Sequence, residues 1–126
     1  MSDELAGKRI LLVDDDRDIL AAMDMALKDL GVEIHQATDG NQAVQLADQH
    51  EPDLVVLDMM LPKRSGFLVM EKLKRAESEK RPKVIMITGN LGTRHRAYAE
   101  SLGVDVYLNK PFRMEKLVSS VRELLD

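Results

Sequence analysis

The sequence contains no cysteine. Disulfides, thiolate metal centres and cysteine nucleophiles are therefore excluded. Aromatic residues make up only 3% of the chain, and tryptophan is absent. No apolar run approaches the ~20 residues that cross a bilayer. The opening residues, Met1 to Gly7, are polar and lack the apolar stretch of a secretory signal. A surplus of basic residues is missing too: the net charge is −4, whereas a surface for nucleic acid needs a basic face. The expectation is a cytoplasmic protein with no membrane association and no direct nucleic-acid contact.

What is present reads as one globular domain over the 126 residues, with about the first seven as an N-terminal tail. Hydrophobic residues make up 44% and charged residues 32%, too apolar for a disordered chain. Five short apolar runs stand out: Arg9–Val13, Val32–Ala37, Leu54–Leu57, Val84–Ile87 and Val104–Leu108. The first, third and fourth are nearly continuous in Val, Ile, Leu and Met, as strands buried on both faces are. The second alternates, which suits an edge strand.

Helical patterns separate the runs. Ile19, Leu20, Met23, Leu27 and Leu30 recur at spacings of three and four, and Gly31 reads as the stop. Asp16 and Asp39 are N-cap candidates for the first two helices. A third opens after Gly66, a weaker fourth spans Arg94 to Leu102, and a fifth carries Leu117, Val118, Val121, Leu124 and Leu125. Strand–helix alternation implies an α/β fold with a five-stranded parallel sheet between two helical layers. Right-handed crossovers make the doubly wound order 2-1-3-4-5 the leading topology.

The residues that follow the buried runs carry the chemistry. Asp14-Asp15-Asp16 follows the first, Asp58 the third, Thr88 the fourth, and Lys110 comes just after the fifth. Open α/β sheets bind ligands at the carboxyl ends of their strands, where the strand order reverses. Several carboxylates brought together there repel unless a cation neutralises them. Carboxylates with a substrate phosphate suit Mg²⁺. The loop after the first strand has no glycine with which to cradle phosphate directly, so a metal must bridge the two. A carboxylate such as Asp58 can attack phosphorus to form an acyl phosphate. Phosphoryl transfer then asks the protein mainly for positioning and charge neutralisation. Lys110 would supply a point charge and the Thr88 hydroxyl a hydrogen bond, while Gly89 leaves backbone room.

Each signal has a plainer reading on its own. An acidic triplet is commonly a solvated turn, and Asp16 fits that role. Lys110-Pro111-Phe112 can mark a helix start. The eight methionines suit core filling. His35, His50 and His95 look scattered, with no carboxylate at ligand spacing, and Lys63-Arg64 reads as a solvated pair. The joint arrangement is what raises the strand-end residues above these readings.

Four segments carry a resemblance: LLVDDD (Leu11–Asp16), VVLDMMLPKRSG (Val55–Gly66), VIMITG (Val84–Gly89) and VYLNKPF (Val106–Phe112). In this order and spacing the chain resembles the receiver domain of bacterial two-component response regulators, a flavodoxin-like fold, over essentially its whole length. The resemblance implies a non-enzymatic phosphoacceptor in phosphorelay signalling, with Asp58 as the phosphorylated residue. It implies a Mg²⁺ site, open to Mn²⁺, formed by Asp14, Asp15, Asp58 and the Met60 carbonyl. Lys110 would contact Asp58 or a phosphoryl oxygen, with a cis Lys110–Pro111 bond. The Met59 and Gly89 backbone would meet the phosphoryl group. Thr88 and Tyr107 would switch the face made by the fourth helix, fifth strand and fifth helix. Partners would be a histidine kinase or histidine phosphotransfer protein, and a downstream effector domain or protein; phosphorylation-dependent dimerisation is left open.

Three rival readings stand beside this one. An aspartyl phosphatase would want a second acid two residues after Asp58, where Met60 stands. A flavin carrier is disfavoured by the acidic first loop and the few aromatics. A receiver that signals by binding alone would not need an intact acceptor site. Apolar Met60 cannot orient an attacking water, so slow self-dephosphorylation is expected; Asn90 is the other tuning position.

Overall fold

The computed structural model describes residues 4–61, 65–74, 81–89, 97–98 and 100–126. Its sheet has five parallel strands: β1 (Arg9–Val13), β2 (Glu33–Ala37), β3 (Leu54–Asp58), β4 (Lys83–Thr88) and β5 (Val106–Asn109). Their order is β2-β1-β3-β4-β5, as the alternation of elements implied. Burial follows the residue pattern. β3 is buried at every position and β4 at all but Lys83, whereas β2 at the edge is buried only at Ala37.

Strand alternation sends successive side chains to opposite faces. Ile10, Leu12, Val56 and Ile87 face one side, where α1 (Arg17–Leu27) and the C-terminal helix (Met114–Leu125) cover them. Leu11, Val13, Leu57 and Met86 face the other, under α2 (Gly40–His50) and α3 (Gly66–Lys74). Leu20, Met23 and Leu27 form the buried stripe of α1, and Leu117 and Val121 that of the C-terminal helix. Each such side chain contributes roughly 1.5–3 kcal/mol on leaving water.

Both expected N-caps are made. The Asp16 carboxylate accepts from the Asp18 and Ile19 N–H groups, and Asp39 accepts from Gln42. The helix ends differ from the periodicity. α1 stops at Leu27 and tightens into a 3₁₀ turn over Lys28–Leu30 before Gly31, whose φ of +83° needs a glycine. Glu51, ahead of Pro52, ends α2 in the left-handed region. Leu5, within the stretch read as a tail, is buried, and its N–H donates to the Leu30 carbonyl.

Of the fourth expected helix, Ala97, Tyr98, Glu100 and Ser101 are helical. Arg94 to Arg96, Asn90 and Lys63-Arg64 lie outside the described residues. No helix among the described residues is long and apolar enough to cross a membrane.

Candidate functional site

β1 and β3 are neighbours at the centre of the sheet, with Val13 paired to Leu57. Their C-terminal ends therefore deliver Asp14 and Asp58 side by side. The connections that leave β1 and β3 pass to opposite faces of the sheet, α1 to one and α3 to the other, which opens a crevice at these strand ends. Oxygen atoms of Asp14, Asp15 and Asp58 lie within 4.8 Å of one another. Asp14 is fully buried, Asp58 is 3% exposed, and Asp15 faces solvent.

Lys110 joins the acids from the loop after β5. Its Nζ lies 3.2 Å from Asp14 Oδ2 and 3.4 Å from Asp58 Oδ2. The loop that carries it is held by the Lys110 N–H, which donates to the Thr88 carbonyl at 2.7 Å. The Lys110–Pro111 peptide bond is cis. The Asp58 carboxylate is further fixed by the Met60 N–H, which donates to Oδ1 at 3.1 Å. Asp14 Oδ1 accepts from the Asp16 N–H at 2.9 Å.

These contacts set the charge states. Burial pushes the Asp58 carboxyl up from 3.8 to about 6, and the Asp14 charge adds to the rise; the Met60 N–H and the Lys110 ammonium pull against it. For Lys110, burial pulls downward, but the charges of Asp58 and Asp14 outweigh it and hold the ammonium above its ordinary range. One ammonium thus faces two buried carboxylates, which leaves the group short of positive charge.

A hard divalent cation fits that shortfall. Among the described residues, Asp14 Oδ2 is buried and makes no aligned hydrogen bond, with only the Lys110 ammonium in ion-pair range. A buried carboxylate oxygen left in this state is costly without a further cation. All the side-chain donors offered are oxygens, as Mg²⁺ requires.

Thr88 ends β4 as a buried residue. Tyr107 pairs with Met86, two residues before Thr88, so Thr88 and Tyr107 share the α2–α3 face of the sheet. Tyr107 is half-buried there, against the core under those helices. Met60 projects outward and is 71% exposed. Around Gly89 a Cβ would meet nothing within 4 Å, so its backbone stands open. The Met59 N–H is taken by the Ile87 carbonyl at 3.0 Å. That bond joins β3 to β4.

Gly66 has a part that sequence reasoning passed over. Its N–H donates to the Met59 carbonyl at 2.9 Å. A Cβ there would stand 2.6 Å from Met59 Cα and 2.8 Å from the Asp58 carbonyl oxygen. The first turn of α3 therefore lies directly against the backbone that bears Asp58. The available signal was a glycine opening a helix soon after the strand that ends in Asp58.

The reading of the histidines needs correction. His35 Nε2 lies 2.8 Å from Glu33 Oε2, and the His35 and His50 rings stack at 3.7 Å. Positions two apart on a strand share a face, and α2 returns His50 to the start of β2. That return is invisible to a search along the sequence. This group sits at the end of the sheet away from Asp58.

Comparison with known proteins agrees with the geometry. Residues 10–122 match the family model for the response regulator receiver domain. A curated relative, the DNA-binding dual master transcriptional regulator RpaA of Synechocystis sp., is 39% identical over 117 residues. The match covers 93% of this chain, which spans 48% of that relative's length. Among solved structures, the chemotaxis protein CheY4 of Vibrio cholerae superposes with a TM-score of 0.86 at 26% identity, covering 95% of this chain and all of the other. The receiver domain of sensor histidine kinase PA1611 from Pseudomonas aeruginosa gives 0.83 at 28% identity, covering 95% and 98%. That structure holds a magnesium ion in its active-site cleft.

Proposed function

This chain belongs to the response regulator receiver domain family, and from that premise we propose that Asp58 is its phosphoacceptor. The observation that carries the reading is the convergence of Asp14, Asp15 and Asp58 with the Lys110 ammonium at one sheet edge.

The donor is a phosphohistidine on a histidine kinase or a histidine phosphotransfer protein. An Asp58 carboxylate oxygen attacks phosphorus, the P–N bond breaks, and the imidazole leaves with its electron pair and takes a proton from solvent. The product is an acyl phosphate on Asp58. At neutral pH the carboxyl, with its pKa of about 6, is largely ionised and able to attack. Lys110 holds the carboxylate in place beforehand and offers its charge to a phosphoryl oxygen afterwards. Asp14, Asp15, Asp58 and the Met60 carbonyl would hold Mg²⁺, which when bound supplies the cationic charge that offsets the phosphoryl oxygens. Mn²⁺ accepts the same donors and would substitute.

The donor reaches the site past an open apolar hollow of about 380 Å³ lined by Ile19, Pro111, Phe112 and Met114, with Lys110 at its edge. Phosphorylation adds roughly −1.5 to −2 charges. Thr88 and Tyr107, on one face of the sheet, respond to that charge and shift an existing two-state equilibrium. The face beside β5 and the C-terminal helix then engages an effector domain, a separate partner or a second copy of the chain. On this reading the chain is a signalling domain that turns over no external substrate, and it works in the cytoplasm.

Intact-mass spectrometry after incubation with acetyl phosphate tests the proposal. One phosphoryl adduct that needs Mg²⁺ and is absent in Asp58→Asn is expected. A folded wild-type protein that takes up none would overturn the reading and favour signalling by binding alone.

A further inference from the structure

We propose that Glu33, His35 and His50 form a second metal site, for a divalent transition ion of the zinc class, at the opposite end of the sheet from Asp58. The three residues offer two imidazole nitrogens and one carboxylate oxygen, all within 4.8 Å of one another. Tetrahedral Zn²⁺ bound at 2.0–2.1 Å places its ligand atoms about 3.3 Å apart. The distance still to close is small for side chains at the surface. His35 Nε2 and Glu33 Oε2 already lie 2.8 Å apart.

The group is ordered before any ion arrives. The two rings stack with centroids 3.7 Å apart and planes 14° from parallel, which holds both imidazoles at one place; the planes must tilt toward each other before both in-plane lone pairs reach one ion. Arg9 Nη1 donates to the His50 carbonyl at 2.9 Å and ties the end of α2 to β1. Glu33 and His35 are two positions apart on β2, a regular strand paired along its length with β1. Ligands carried on rigid backbone elements lose less entropy on binding than ligands on loops.

The Arg9 guanidinium also opposes the ion. Arg9 Nε lies 3.4 Å from Glu33 Oε2, and a cation must displace it. Both side chains are about half exposed at 49% and 51%, so this pair is weak, and Glu33 can leave Nε for the ion while Arg9 Nη1 keeps its bond to the His50 carbonyl. Three protein ligands leave the fourth position of the ion to water.

Donor chemistry separates the two sites. Imidazole favours Zn²⁺ over Mg²⁺, and an all-oxygen acid cluster favours Mg²⁺. Bound Zn²⁺ would staple the edge strand β2 to the end of α2, at a place that no step of phosphoryl transfer uses.

The test is calorimetric titration of the tag-free protein with Zn²⁺ in excess Mg²⁺, with the histidine ring protons followed by NMR. One saturable equivalent that moves the His35 and His50 ring signals together is expected. Affinity should fall about tenfold or more in His35→Gln and in His50→Gln, since even groups behind a ligand carry that much. It should be unchanged in Asp58→Asn. Thermal unfolding without zinc confirms that each variant is folded. Absence of saturable binding, binding that survives both histidine substitutions, or binding lost in Asp58→Asn would each overturn the assignment.

Discussion

Asp58 carries a carboxyl group into a position that is 3% exposed, and its proton is held more tightly there than in the unfolded chain. Its native pKa is about 6 against the ordinary 3.8. Between those values the native state binds more protons than the unfolded state, so stability falls as pH rises from about 4 to about 6. The step from 3.8 to about 6 corresponds to about 3 kcal/mol of destabilisation at neutral pH. Asp58→Asn removes the charge and keeps an oxygen for the Met60 N–H. Its new amide N–H₂ faces the Lys110 ammonium, which gives back part of the gain. The metal-free variant should therefore be more stable than wild type at pH 7 by about 1–3 kcal/mol, or about 3–9 °C in Tm for a domain of this size. The difference should shrink toward zero near pH 4. The chain has no tryptophan, so urea unfolding in EDTA is best followed by far-UV circular dichroism. Equal stability at pH 7, or a gap that persists at pH 4, would refute the argument.

Saturating Mg²⁺ should stabilise wild type by about 2.7 kcal/mol at a hundredfold excess over Kd, and Asp58→Asn by less; equal shifts in Tm would count against Asp58 as a ligand. Lys110→Ala strips the ammonium that lies 3.2 Å from Asp14 and 3.4 Å from Asp58. It should cost about 2 kcal/mol at pH 7 without metal, and much less at pH 4, in the same urea assay. Gly66→Ala drives a Cβ to 2.6 Å from Met59 Cα. Relief requires moving backbone, so a loss of about 2–4 kcal/mol is expected, together with slower acetyl-phosphate labelling. Met60 stands 71% exposed beside Asp58 and offers no group to orient water. The acyl phosphate should outlast minutes and decay faster in Met60→Glu; decay within seconds in wild type would refute this.

The sequence exposed the sheet because parallel strands buried on both faces must be apolar throughout, and β1, β3 and β4 are. It exposed the acid cluster because such a sheet gathers its strand ends, so Asp14, Asp58, Thr88 and Lys110 could be placed without knowing a distance. Helix ends were less legible. The apolar spacing of α1 runs on to Leu30, but backbone geometry tightens after Leu27, and spacing does not distinguish the two. Contacts between side chains on different elements left no pattern at all. The His35–His50 stack, the Gly66 approach to Met59 and the edge-on packing of Phe67 against Tyr98, whose hydroxyl donates to Glu71, arise from how helices are set on the sheet. Nothing in local residue order records that.

The acid site is assembled from the ends of separate strands and the loop that follows β5, with Asp14 and Lys110 lying almost a whole chain apart. No local fragment contains it. A sheet lacking β5 would hold the carboxylates without the Lys110 charge that faces them. Whatever occupies the site, ion or phosphoryl group, therefore bridges the first and last thirds of the molecule at once. Its binding energy should appear in the slowest, whole-molecule class of amide exchange, with little effect on the fraying of single elements. The state of this one carboxylate thus reports on the cooperative unit as a whole.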